Sequence, residues 1–236
     1  MSMNASTSQS PVSSDYASAQ IAVSRSNSGG GTNTYSSGNC GNFTDVSPSS
    51  SLCPAISFVT SHGIFGGYGD GTLKTNRVIS RSEILSVIQK AFGYTLDSYN
   101  RNIDGNLGYR DLNTNLPYMP YFKTFIRLNL MKGYPDGTMR PDRTMNTAEL
   151  YLVFLKAAVQ SPRNSANFSL DSSVKYPPFN DTPLTADTRW YIKYAAFAKL
   201  NGLVTTANFY PDRGITRGQV IQLIYDTFTK GLISYN

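Results

Sequence analysis

The chain is short of ionisable side chains and of the residues that most often do chemistry. Only 15% of its 236 residues are charged, against about a quarter in an average globular protein. It holds one His, one Trp and two Cys, and its only glutamates are Glu83 and Glu149. Two Cys and one His cannot close a four-ligand zinc site without carboxylates. No apolar run approaches the ~18 residues of a membrane-spanning helix. No Gly-Lys-Ser phosphate loop occurs. His62 stands before Gly63, where a helix C-terminus is expected, so it does not suggest a catalytic triad. A glycosidase would need a carboxylate pair, and both glutamates are claimed below by helix caps. The sequence therefore reads as no enzyme, with no cofactor and no metal. An excess of 21 basic over 15 acidic residues, +6 net, is too small to argue for nucleic acid. It fits an acidic partner.

Residues 1–42 hold 12 Ser, the run Gly29-Gly30-Gly31, and only Asp15 and Arg25 as charges. Such a segment cannot offset its ordering entropy, so it reads as a flexible arm or linker. Ile21-Ala22-Val23 is its one apolar patch. Met1-Ser2-Met3 lacks the basic and apolar regions of a signal peptide, so the chain is expected to be cytoplasmic or a piece of an exported protein. Cys40 and Cys53 either form a disulfide that staples the arm to the first domain, implying an oxidising compartment, or are two free thiols. Sequons at Asn4, Asn42, Asn167 and Asn180 are short enough to arise by chance.

A repeat runs through the remainder. Gly67-Tyr68-Gly69-Asp70-Gly71-Thr72 recurs as Gly133-Tyr134-Pro135-Asp136-Gly137-Thr138, and a glutamate follows each Asp by 13 residues. A third copy is degenerate: Phe209-Tyr210-Pro211-Asp212 leads into Ile215-Thr216-Arg217-Gly218-Gln219, with about three residues lost after Val204. Each copy opens alike, at Phe43-Thr44-Asp45, Tyr109-Arg110-Asp111 and Phe179-Asn180-Asp181. Spacings of 66 and 70 hold both for these Asp residues and for Glu83, Glu149 and Gln219. The expected units are 43–108, 109–178 and 179–236. Within each, the pattern is helix, turn-rich loop, helix. Ser80/Glu83 and Thr216/Gln219 are capping boxes, and Asn146/Glu149 is a close relative. Apolar periodicity follows at Ile84, Leu85, Ile88 and Phe92, at Leu150 and Phe154, and at Val220, Ile221, Ile224 and Phe228. The earlier helices carry Ile56 and Val59, Phe122 and Phe125, and Ala195 and Ala198.

This order resembles the S-layer homology family over about residues 43–230. The resemblance carries Phe-x-Asp, a helix, Gly-Tyr-x-Asp-Gly-Thr, and then a Ser/Thr-Arg-x-Glu-like start of a second helix. It implies an all-α fold in which three tandem helix-loop-helix repeats form a pseudo-threefold single-chain trimer. It also implies a non-catalytic module at the cell surface that anchors proteins to a secondary cell-wall polysaccharide on peptidoglycan. That ligand often bears a pyruvate ketal and hence a carboxylate. The alternative is a structural surface-layer or filament subunit, self-associating through its repeats and arm.

Arg81 and Arg217 occupy first helical positions, where the macrodipole disfavours a cation unless something compensates. A carboxylate ligand would do so, using the guanidinium fork and free backbone N–H groups. Copy two has Thr147 there, which puts its site in doubt. Arg77, Arg143 and Arg213 sit four residues earlier and either reach the same ligand or are simply solvated. Tyr68 and Tyr134 belong to a turn, or line a sugar groove. Trp190 reads as a plug between repeats ahead of a sugar platform. Asn100 to Asp111 has the outline of a calcium loop, with Gly105 sixth. Neutral Asn ligands and nearby Arg101 and Arg110 favour an ordinary inter-repeat loop.

Overall fold

The computed structural model describes residues 40–164, 169–170 and 177–234. Apart from residues 40–42, the expected arm lies outside the described residues. So do its Ile21–Val23 patch, the sequons Asn4 and Asn167, and self-association through the arm. The described residues form seven α-helices: α1 Cys53–Ser61, α2 Arg81–Phe92, α3 Arg101–Asp104, α4 Met119–Arg127, α5 Thr147–Val159, α6 Ile192–Leu200 and α7 Arg217–Thr229. Extended pairing among them is limited to three isolated bridges. No helix among the described residues is long and apolar enough to cross a membrane.

Local chemistry accounts for the helix starts. The side chains of Ser80, Asn146 and Thr216 accept from the N–H of the residue three further on. Glu83, Glu149 and Gln219 reach back to the cap N–H, completing three capping boxes. Proline stands in the first turn of α1 and α4, where its missing N–H costs nothing. Gly93 ends α2 at φ 73°. The expected core positions Ile56, Val59, Phe122, Phe125, Ala195 and Ala198 are fully buried, as are Ile84, Phe92, Phe154 and Val220.

The helices pack between successive helix pairs rather than within three separate hairpins. α2 packs on α4, α5 on α6, and α7 on α1. The segments entering α2, α5 and α7 pair with one another as Val78 with Thr216, Ser80 with Thr144, and Asn146 with Gly214. The N–H groups of Arg81 and Ser82 donate to the carbonyls of Arg143 and Pro141. Those of Thr147 and Ala148 donate to Arg213 and Pro211, and those of Arg217 and Gly218 to Arg77 and Thr75. Each second helix thus has its otherwise unpaired N–H groups capped by the loop of another helix pair.

The Phe-x-Asp motif organises the loops. Asp45 accepts from the N–H of Leu73 and of Lys74, both at 2.7 Å. Asp111 does the same for Met139 and Arg140, and Asp181 for Phe209 and Tyr210. The second donor of each pair, Lys74, Arg140 or Tyr210, has a left-handed backbone, at φ 53°, 51° and 55°. In all three pairs the first N–H donor lies 28 residues after its Asp. The third pair reaches that figure differently. Six residues run from Leu203 to Phe209, against nine from Ile64 to Leu73, and the helix starts 11 rather than eight residues after its Asp. The three residues missing after α6 are regained before it, where Ala186–Thr188 forms a 3₁₀ turn.

Cys40 and Cys53 form a disulfide, which ties residue 40 to the first residue of α1. In the Asn100–Asp111 stretch, Asn100 caps α3 and Asp104 pairs with Lys123 at 2.8 Å. The Asp111 carboxylate is occupied by the two backbone N–H groups named above.

Candidate functional site

A groove of about 360 Å³ lies where the first helix pair, α4 and α7 meet. Its cations are Lys74, Arg77, Lys90 and Arg217, its one carboxylate is Glu83, and its tyrosines are Tyr68, Tyr118 and Tyr121. Three positive groups face the Tyr68 ring: Lys74 Nζ at 4.3 Å, and the guanidinium carbons of Arg217 and Arg77 at 4.7 and 5.5 Å. Arg77 also donates to the Tyr68 hydroxyl and pairs with Glu83. Burial opposes the Arg77 charge, yet Glu83 and Tyr68 raise its pKa above the ordinary value. Asp70 accepts from both the hydroxyl and the N–H of Thr72. These bonds, with Lys74 adding to them, hold Asp70 at about 2.

Arg217 and Arg81 are 6% and 4% exposed, and the helix starts they occupy are not open. Their N–H groups are capped as described, and their side chains act as clasps. Arg217 donates from Nε to the Leu73 carbonyl and from Nη2 to the Gly66 carbonyl, both at 2.9 Å. Arg81 donates likewise to Met139 at 2.9 Å and Lys132 at 3.0 Å. The compensation that a cation at a helix start requires comes from these carbonyls. Burial lowers the pKa of both arginines, while Tyr68 and Glu83 oppose this at Arg217, and Tyr134 and Glu149 at Arg81. Both remain guanidinium ions. Arg217 still lines the groove, with Nη1 at 3.9 Å from Glu83 Oε1. Thr147, at the matching place in α5, donates its hydroxyl to the Arg213 carbonyl at 3.1 Å.

The second junction, between α5 and α6, reproduces much of the first. Tyr134 is faced by Arg140, Arg81 and Arg143 at 4.2, 5.0 and 5.4 Å. It donates to Glu149 at 3.0 Å, and Arg143 pairs with the same carboxylate at 2.7 Å. Burial, aided by Glu149, raises the Tyr134 pKa. Thr138 and Arg140 hold Asp136 at about 2. Trp190, expected as a plug, is 47% exposed and lies edge-on to Tyr191 at 4.9 Å. It precedes α6 at the surface, because Tyr191 takes the buried place behind it.

The third junction, between α7 and α1, lacks this chemistry. Gln219 replaces the glutamate, Thr147 the clasp arginine, and Asp226 stands where α2 has Lys90 and α5 has Lys156. Arg213 is left over the Tyr210 ring at 5.8 Å. Among the groove residues, sequence reasoning missed Lys74, Lys90, Tyr118 and Tyr121. A signal was present: Glu83, Ser86, Val87 and Lys90 fall on one helical face, and Tyr118 and Tyr121 on another.

Tandem helix pairs, clasped in a ring by cross-pair caps and carrying a basic, tyrosine-lined groove, define a helical repeat module. Residues 42–85 and 108–150 match the model of the S-layer homology domain. Two proteins of Acetivibrio thermocellus are similar. One, described as a cellulosome-anchoring protein, is 30% identical over 140 residues, covering 59% of this chain and 31% of the relative. The other, cell surface glycoprotein 1, is 27% identical over 148 residues, covering 58% of this chain and 6% of the relative. The chain thus spans less than a third of the length of either.

Proposed function

We propose that the chain is a non-catalytic anchoring module of the cell surface that binds an acidic secondary cell-wall polysaccharide attached to peptidoglycan. In this reading residues 43–108, 109–178 and 179–236 are three S-layer homology repeats about a pseudo-threefold axis, and residues 1–42 are an arm. The observation that carries it is the first groove, in which four cations and three tyrosines surround a single carboxylate. Lys74 and Lys90, with the Nη1 edge of Arg217, meet a ligand carboxylate such as a pyruvate ketal. Tyr68, Tyr118 and Tyr121 offer aromatic faces to the sugar. Arg77 orients Tyr68 and Glu83, and no bond is made or broken. The match to the S-layer homology domain and the anchoring role named for one relative support the same reading.

Lys90 provides the cleanest test, because it is exposed and takes no part in the cross-pair caps. Lys90→Glu should lower retention on sacculi by about tenfold, as expected when an attractive charge contact of 1–2 kcal/mol becomes repulsive. Lys230→Glu, at the end of α7, should not. Unchanged retention by Lys90→Glu would remove the groove from the account.

A further inference from the structure

The two well-formed junctions share a backbone plan but carry different side chains. Arg81 holds the Lys132 carbonyl as Arg217 holds that of Gly66, and α5 starts from its cap as α2 does. By that register Lys132 stands for Gly66 and Lys156 for Lys90, and, counted from the starts of α4 and α6, Trp190 stands for Pro117 and Lys193 for Pro120. The second junction therefore carries three lysines where the first carries one, and a tryptophan where the first has a proline.

These lysines have little to neutralise them. Lys156 donates from Nζ to the Asn129 carbonyl at 2.6 Å. Lys193 lies 5.3 Å from the centre of the Tyr194 ring. Among the described residues, neither Lys132, Lys156 nor Lys193 has a carboxylate within ion-pair distance. Burial, and then the charges of Lys132 and Lys193, pull the Lys156 pKa below its ordinary value. Like charges gathered in this way are relieved by an anion. The half-exposed indole of Trp190 adds an aromatic face beside them.

We propose that the α5–α6 junction binds a phosphate-bearing sugar, with Lys132, Lys156 and Lys193 meeting the phosphoryl oxygens and Trp190 lying against the sugar ring. This rests on the reading of the inter-pair junctions as glycan sites and goes further by separating their ligands. A carboxylate brings one negative charge, whereas a phosphate monoester brings about 1.5 to 2 at pH 7. Lysine is a flexible point charge suited to phosphoryl groups. The first junction, with Lys90 as its only lysine at these matched positions, suits the carboxylate.

Trp190 is the only tryptophan in the chain, so its emission reports on this junction and not on the first. The full chain would be titrated with N-acetylglucosamine 6-phosphate, with N-acetylmuramic acid as the carboxylate-bearing amino sugar, with N-acetylglucosamine, and with inorganic phosphate. The phosphorylated sugar should shift the emission saturably and bind about tenfold more tightly than the carboxylate sugar, one charge-assisted contact's worth. Lys132→Ala and Lys193→Ala, with unchanged melting temperatures, should each weaken it about tenfold. Equal binding of the two acidic sugars, or no loss in the lysine variants, would overturn the selectivity. Equal affinity for inorganic phosphate would overturn the role given to Trp190. Retention on sacculi, read in parallel, separates the two proposals. Retention with a flat titration sinks this site alone, whereas a saturable titration without retention supports the site and sinks the anchoring reading.

Discussion

Arg217 donates from Nη2 to the carbonyl oxygen of Gly66 at 2.9 Å across 151 residues of sequence, and so clasps the last helix to the first loop. The same guanidinium bonds Leu73 through Nε and lies 4.6 Å from the Phe65 ring. A residue at a helix start that suits an anion is first of all a structural bolt.

Arg217→Ala should therefore destabilise the fold by about 2–4 kcal/mol, because the buried Leu73 carbonyl and the part-buried Gly66 carbonyl lose their donor. Arg217→Lys should recover only part, since an ammonium cannot reproduce the fork. Chemical denaturation measures both. A consequence is that loss of wall binding by Arg81→Ala or Arg217→Ala does not by itself identify ligand contacts. An Arg217→Ala variant as stable as the parent would refute the clasp.

Gly133 is required by close approach rather than by backbone freedom. A Cβ there would lie 2.1 Å from the Tyr109 ring and 2.5 Å from the Thr138 carbonyl oxygen. Gly133→Ala should cost about 1–3 kcal/mol through overpacking, and Tyr109→Ala should not rescue it fully, since the carbonyl remains. Gly67 is under the same constraint from Phe43 and Thr72. Melting curves of the single and double variants decide.

Asp70 and Asp136 should titrate near 2, because the hydroxyl and N–H of Thr72 and Thr138 bond the ionised carboxylates. A depressed folded pKa adds stability above the unfolded value of about 3.9, and this is lost as pH falls through the folded value. Carboxyl chemical shifts followed from pH 6 to 1.5 test this. Midpoints near 4 would contradict the two turns.

Reducing the Cys40–Cys53 bridge should lower stability by about 2–3 kcal/mol, the cross-link entropy of a loop of this size. Thermal melts with and without reductant measure the difference. Equal melting temperatures would show that the bridge leaves the folded–unfolded balance untouched.

Much of the helical frame was legible because its causes are local. The capping boxes at Ser80, Asn146 and Thr216, the buried faces of α2, α5 and α7, and the Asp70 and Asp136 turns all follow from residues within one helical turn of each other. The role of Arg81 and Arg217 was not legible. Their partners lie 51 to 151 residues away, and a cation at a helix start looks the same whether a ligand or a carbonyl compensates it. In sequence the third pair simply lacks three residues after Val204. The compensating 3₁₀ turn before α6 was invisible until Asp181 fixed the register. Trp190 has the look of a plug in sequence, which does not reveal that Tyr191 fills the space behind it.

On the proposed function, an acidic wall polymer, and not bare peptidoglycan, holds this chain. Co-sedimentation with native sacculi, and with the same sacculi after the acidic polymer has been stripped, tests it most directly. Retention on native sacculi is expected to fall to background once the polymer is removed and to return when it is restored. Equal retention on stripped sacculi would contradict it.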